Sequence, residues 1–527
     1  MRSSLRLGSA LILATASALT FASGQAGASP PATRTAPRVL LVCNGSVTPC
    51  PATQHHQYGT VQAAVDAAKP GDWILIWPGV YHENNPTWHA GVWVGTRDLH
   101  IRGLNRNHVI IDGSKGTAAH PCPSAPSRQN FAARDGIVVA ASGVSLENLT
   151  VCDYLGLNGT GGNEIWWNGG DGSGKIGMGR YFGGYLTATA TFRPRFVKGT
   201  QPVSPHFAQY GIFVSNASGP GVITHSYASN MADAAYYVGA CQRLCDALLA
   251  HDVGTNSALG YSGTNAGGRL VIRDSVFSRN RTGIAPNSLN NDDAPPPQDG
   301  RCPNTKTSCT VIEHNLIIGN DNPDVPLSGL QPAIGAGVEL SGGMYDTVRY
   351  NVIKNQGSWG VITHDYPDPE KPPPASHCQG GFANVSFLGT KVCDFPARGN
   401  LVYGNRFVNV GFFGNPTNSD LATIGLLAKS PTPRNCFYAN RAVSHRHRVA
   451  LTSSPKLIER PSVDGPSCLR RGTWKNPKLF SQLLCATFGI CPAHAHYPVQ
   501  TKLVVVPVPK LGSMPHPCLG IPANDYC

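Results

Sequence analysis

Past Ala28 the chain has no apolar run long enough to cross a bilayer, which excludes a membrane span from its body. Charge is also scarce where it would matter for nucleic acid. There are 42 Lys and Arg against 30 Asp and Glu, but Ser430 to Cys527 alone hold 12 against 3. Without Arg2 and Arg6 the rest comes to about +1, so the basicity belongs to the tail and no basic groove for nucleic acid is expected. Metal signatures are missing too. No D-x-D-x-D-G loop is present. Cys241-x3-Cys245 has no partner pair at zinc spacing, and His445 with His447 or His494 with His496 lacks a third ligand.

What the sequence does have is a repeat. Six stretches run as an apolar strand, a small polar residue, an Asn at the next corner and a second short apolar strand. The polar positions are Ser226, Asp252, Ser275, Asn315, Asn351 and Asn405, and the corners are Asn230, Asn256, Asn280, Asn320, Asn355 and Asn409. A period of about two dozen residues marks stacked β-coils, because no single coil can bury its apolar edge alone. Asn suits the corners, since it tolerates left-handed backbone and its amide can bond the coil above. The chain therefore reads as all-β, a β-solenoid, with Ile223, Ile272, Ile312 and Val348 stacked inward in one column.

Arg2 and Arg6, an apolar run from Ala10 to Ala22 and Ala26-Gly27-Ala28 read as a secretory signal over residues 1–28, leaving a secreted, extracellular chain from Ser29. Sixteen cysteines fit an oxidising compartment. Paired as neighbours they are Cys43–Cys50, Cys122–Cys152, Cys241–Cys245, Cys302–Cys309, Cys378–Cys393, Cys436–Cys468, Cys485–Cys491 and Cys518–Cys527.

Residues 29–54 read as a linker with a small Cys loop. Val61, Ala64, Val65 and Ala68 then mark a short amphipathic helix, and Trp73 to Trp77 a strand. The stretch VQAAVDAAKPGDWILIWPGVYHE, with LHIRG and VIIDG after it, resembles the N-terminal cap and first coils of right-handed parallel β-helix proteins of the pectate-lyase-like superfamily. The resemblance implies a single-stranded right-handed parallel β-helix over residues 55–455, with a short capping helix before it. It also implies a polysaccharide or cell-surface glycan as partner, for a lyase, glycosidase, epimerase, esterase or non-catalytic adhesin. Residues 456–527 read as a basic, Cys-rich C-terminal cap, and the protein as a monomer. Loop insertions are expected at about 153–208, 289–310, 321–333 and 366–398, the last three gathered on one side of the stack.

Aligning the second strands and sending their third and fifth residues outward puts Tyr237, Tyr261, Asn287, Glu339 and His364 on one face, with Asp365 opening the next loop. A carboxylate and an imidazole on adjacent coils suit acid–base catalysis on a sugar chain, so Glu339, His364 and Asp365 are the candidate catalytic residues. Tyr237, Tyr261 and Asn287 are candidate substrate contacts. Trp166 and Trp167 join them as aromatics of a Gly-rich flap that could close over a glycan. Among the acidic loop clusters Asp292 and Asp293 are candidate ligands for Ca²⁺, which many lyases of the resembled superfamily use. The motifs R-x-P-x-x-R, W-x-D-H and D-P-H-D are absent, and Asp292-Asp293 is all that matches the polygalacturonase set. The sequence thus points to a polysaccharide lyase, glycoside hydrolase or epimerase, with a non-catalytic glycan-binding or envelope protein as the alternative.

Overall fold

Apolar residues spaced one coil apart pair strand upon strand into three long sheets. The computed structural model describes residues 36–52, 57–194, 206–290, 302, 309–328, 332–369, 378–425, 435–444, 447–456 and 476–527. The sheets hold 13, 12 and 11 strands, and each coil gives one strand to each in turn. One coil runs through Gly268–Arg273, Val276–Ser278 and Thr282–Asn287; the next supplies Thr310–Glu313, Leu316–Ile318 and Ala336–Ser341, all in parallel register. Parallel crossovers are right-handed almost without exception, and the chain is a right-handed parallel β-helix.

One inward column shows why the stack holds. Leu40, Ile74, Ile101, Leu146, Gly183, Ile223, Leu249, Ile272, Ile312, Val348, Val402 and Phe437 occupy equivalent places on successive strands of the first sheet. The four residues expected to stack there do so. Full burial of each such side chain is worth roughly 1.5–3 kcal/mol.

The polar positions form a ladder that runs the same way. Ser226 N–H donates to Asp252 Oδ1, Asp252 N–H to Ser275 Oγ, Ser275 N–H to Asn315 Oδ1, and Asn315 N–H to Asn351 Oδ1. Asn351 N–H continues it to Asn405 Oδ1 at 3.0 Å. The corner asparagines split into two columns instead of the expected one. Asn230, Asn256, Arg279, Gly319, Asn355 and Asn409 share the left-handed position, with φ between 49° and 68°. Asn280 and Asn320 stand one residue later, where Ser257 N–H, Asn280 N–H and Asn320 N–H pass bonds up to Gln356. Replacing Asn351 by Ala strands the buried Asn315 N–H and Ile312 carbonyl, and should cost about 2 kcal/mol or more by urea unfolding. Asn409→Gly keeps a left-handed corner at an exposed pair and should change stability by no more than about 0.5 kcal/mol.

Helix α1 (Val61–Ala67) buries Val61, Ala64 and Val65 against the core. Its first N–H groups donate to Thr60 Oγ1 and to the buried Glu83 carboxylate. The linker reading of residues 29–54 needs correction, since Val39–Val42 is a strand in register with Trp73–Ile76. The span 153–208 is not one insertion either. Asn163–Asn168, Met178–Gly184 and Thr187–Thr189 each continue a sheet, and together make a full coil.

Seven of the expected disulfides are present. Cys468 lies outside the described residues, as does the signal stretch 1–28. No helix among the described residues is long and apolar enough to cross a membrane.

The tail does more than close one end. Helix α2 (Pro477–Phe488), capped by the Asn476 side chain and ended by left-handed Gly489, packs Leu479, Leu483 and Ala486 on Trp359, Ala422 and Ile424 of the third sheet. Beyond it the chain runs back along the coils. Asn256 and Asn230 amides donate to Val504 and Val506 carbonyls, Asn107 to Leu511, and Arg102 to Pro517 and Leu519. Ile521 and Tyr526 reach the first coils beside Leu41 and Leu75.

Candidate functional site

Alternation along the third sheet sets which side chains face outward, and strand register sets which meet. One outward column runs Phe213, Tyr237, Ser262, Ala285, Glu339 and Ile362; the next runs Ser215, Gly239, Thr264, Asn287, Ser341 and His364. Glu339 and His364 therefore stand diagonally on adjacent strands, and their side chains close the gap. Tyr261 does not join them. Leu259 pairs with Ala234 rather than Ala235, and this one-residue slip turns Tyr261 into the core, where its hydroxyl donates to Val238 O at 2.8 Å.

Over these columns lies a groove of about 1500 Å³. Its floor includes Ser262, Thr264, Asn287, Glu339, Ser341 and His364. The walls come from loops and the tail. Leu327, Ser328 and Pro332 come from between the strands Leu316–Ile318 and Ala336–Ser341, while Phe387 and Leu388 belong to the antiparallel hairpin Phe382–Phe387/Thr390–Phe395. Phe480, Leu483 and Phe488 come from α2. Tyr210 and Phe207 mark the end toward the earlier coils. Between Tyr210 and His364 the groove crosses six successive strands, about 24 Å at roughly 4.8 Å a step.

His364 and Glu339 are each 6% exposed, and His364 Nε2 lies 3.0 Å from Glu339 Oε1. His364 Nδ1 faces the Asp365 carbonyl at 2.8 Å. A carbonyl only accepts, so Nδ1 carries its hydrogen and the pair's mobile proton sits between Nε2 and Oε1. Burial alone would lower the imidazole's pKa, but the hydrogen bond and charge of Glu339, with the carbonyl and carboxylate of Asp365, raise it overall. Glu339 Oε2 accepts from Ala333 N–H at 3.2 Å, which fixes the carboxylate. The pair thus holds a shared proton at the floor of the groove. Asp365 is fully buried at the edge of the groove; its carboxylate accepts from Ala397 N–H at 3.2 Å, and its carbonyl is the partner of His364 Nδ1.

The other candidates are divided. Asn287 lines the groove. Tyr237 is buried among Tyr210 and Phe213, outside the groove lining. Trp166 and Trp167 lie on the coil strand Asn163–Asn168, not on a flap. Trp166 faces out, stacks on Phe213 at 5.1 Å and donates to Ser215 Oγ; Trp167 is wholly in the core. Its ring occupies space left by Gly183, where an added Cβ would come within 2.9 Å of it. Asp292 and Asp293 fall outside the described residues. Among the described residues the donor atoms of Asp112, Cys122 and Cys152 converge, but those cysteines form a disulfide and have no thiolate to give.

Sequence reading missed Asp233, which lines the groove and accepts from Tyr210 Oη at 2.9 Å. Burial raises its pKa to about 6. It precedes its strand by one residue, a corner position that no spacing marks. Asp394, behind the groove on the hairpin, is fully buried with neither carboxylate oxygen hydrogen-bonded, and burial with the nearby Asp365 raises its pKa to about 8.

Buried carboxylates of this kind give stability a direction in pH. Burial raises Asp153 and Asp346 to about 7, and Asp394 to about 8, against 3.8 ordinarily. Raised folded pKa values contribute stability that is whole below the unfolded values and lost as pH climbs through the folded ones. Unfolding free energy should therefore fall between pH 5 and pH 8 by on the order of 2 kcal/mol or more, as read by urea midpoints. Asp394→Asn should flatten that slope.

No family model matches the chain. No curated protein matches it. Among solved structures it is similar to the A-module of the mannuronan C-5 epimerase AlgE4 from Azotobacter vinelandii, at 13% identity over 76% of this chain and 94% of that one, TM-score 0.39. It is similar to a mannuronic acid-specific family 6 polysaccharide lyase from human gut microbiota, at 16% identity, 72% and 79% coverage and TM-score 0.39. A third is pectate lyase Pel9A, at 12% identity, 83% and 90% coverage and TM-score 0.37. At these identities and TM-scores no residue role, substrate or reaction passes to this chain, whose parallel β-helix is read from its own strand pairing.

Proposed function

We propose that this chain is an exported enzyme that cleaves or rearranges a polysaccharide laid along the third-sheet groove, with Glu339 and His364 as its acid–base pair. The observation that carries the reading is the 3.0 Å contact between His364 Nε2 and Glu339 Oε1 on the groove floor. A proton held there can pass to a glycosidic or ring oxygen, and the imidazole–carboxylate pair can take one back. An open groove about 24 Å long suits a polymer better than a small metabolite. Seven disulfides support export into an oxidising compartment.

The test is a panel of polysaccharides. Ultraviolet-absorbing unsaturated ends would mark a lyase, reducing ends without them a hydrolase, and altered sugar configuration without chain cleavage an epimerase. No product from any glycan by the folded protein would reject the enzyme and leave a glycan-binding β-helix, provided the same panel shows binding.

A further inference from the structure

Resting on that reading of the groove, the charges along it narrow the substrate. Asp233 and Glu339 belong to its lining, Asp365 and Asp368 lie there with their carboxylates buried, and among the described lining residues there is no lysine or arginine. Arg281 lies close enough for its charge to be coupled to Glu339, yet it is buried and spends its donors on the protein. Its Nε donates to Pro332 O at 2.8 Å and its Nη2 to Ala486 O at 3.0 Å. His364, when protonated, is matched by Glu339.

A polyuronate carries one carboxylate on every sugar. Laid along this groove it would bring a row of negative charge against four acids with no lysine or arginine in the described lining to receive it, and low-dielectric walls would sharpen the repulsion. What the floor does offer is hydroxyl and amide groups in register: Thr264, Asn287 and Ser341 stand on successive strands, with Ser262 beside them. The rings of Phe207, Tyr210, Tyr366, Phe387, Phe480 and Phe488 form apolar walls. Sugars without charge present the matching pair of surfaces, hydroxyls at the edge and C–H groups on the face. We propose that the groove takes an uncharged, hydroxyl-rich glycan and discriminates against polyuronates.

The experiment uses the full chain and compares kcat/KM, or affinity where there is no turnover. One set of glycans is neutral (a glucan, a mannan and a galactan), and the other is polygalacturonate and alginate, each with and without added Ca²⁺. The expected result is that the best neutral glycan exceeds both polyuronates by at least about tenfold, with the gap narrowing as salt screens the groove. Asp233→Asn should raise the polyuronate-to-neutral ratio. A polyuronate used as well as the best neutral glycan, through activity that Glu339→Gln abolishes, overturns this inference and leaves the acid–base groove standing. A folded protein that neither binds nor converts any glycan overturns the groove reading, and this inference with it.

Discussion

Glu339→Gln and His364→Ala are each expected to lower turnover at least about 10²-fold, the low end for removing an acid–base group. Both act on one proton. Gln cannot share it, and Ala removes the ring whose Nε2 lies 3.0 Å from Glu339 Oε1. Steady-state rates on the best glycan of the panel, with circular dichroism to confirm the fold, provide the measurement. If the protonated pair acts as the acid, kcat/KM should also decline on an alkaline limb above 6.5, because the pKa of His364 is held above that ordinary value. Unchanged turnover in either variant would remove the pair from the mechanism and leave the β-helix untouched.

The largest expected loss of stability lies elsewhere, at Trp167. Truncation to Ala should cost roughly 3–5 kcal/mol in urea unfolding, the range for a large aromatic removed from a packed core. The reason is complementary packing: Trp167 fills the volume that Gly183 leaves in the inward column, between Leu146 and Ile223. Gly183→Leu should fail in the opposite sense, by overpacking, at roughly 1–3 kcal/mol. A loss under about 1 kcal/mol for Trp167→Ala would mean that the neighbouring coils collapse into the space.

Trp167 also shows where sequence reading stops. Period and polarity were enough for the coils, for the recurring positions from Ser226 to Asn405 and for the near-neighbour disulfides, but the hydrogen-bonded ladder runs through those positions and not through one column of corner asparagines. Facing was harder. A strand's in-or-out pattern depends on a register of one residue, and Leu259-Gly260-Tyr261 can be slid against Ala235-Tyr236-Tyr237 without breaking any local preference. Pairing with Ala234 decides it, and sends Tyr261 inward. Glu339 and His364 face outward as the third and fifth residues of Gly337–Ser341 and Gly360–His364, whose second residues, Val338 and Val361, lie in the core. The groove walls were illegible for another reason. Phe480 and Leu483 lie more than a hundred residues beyond the floor they cover, and nothing local ties a C-terminal helix to that face.

The returning tail changes what kind of object the solenoid is. Coils that touch only their neighbours make an open array, in which either end can fray without consulting the other. Here Arg102 in an early coil is bonded to carbonyls 415 and 417 residues later. Those contacts turn the array into a closed circuit and give the chain some of the most non-local pairings it could have, the kind that form late and slowly. The residues made last finish the coils made first. Until Pro517 and Leu519 arrive, Arg102 lacks the two carbonyls it donates to, and Leu41 and Leu75 lack the cover of Ile521 and Tyr526.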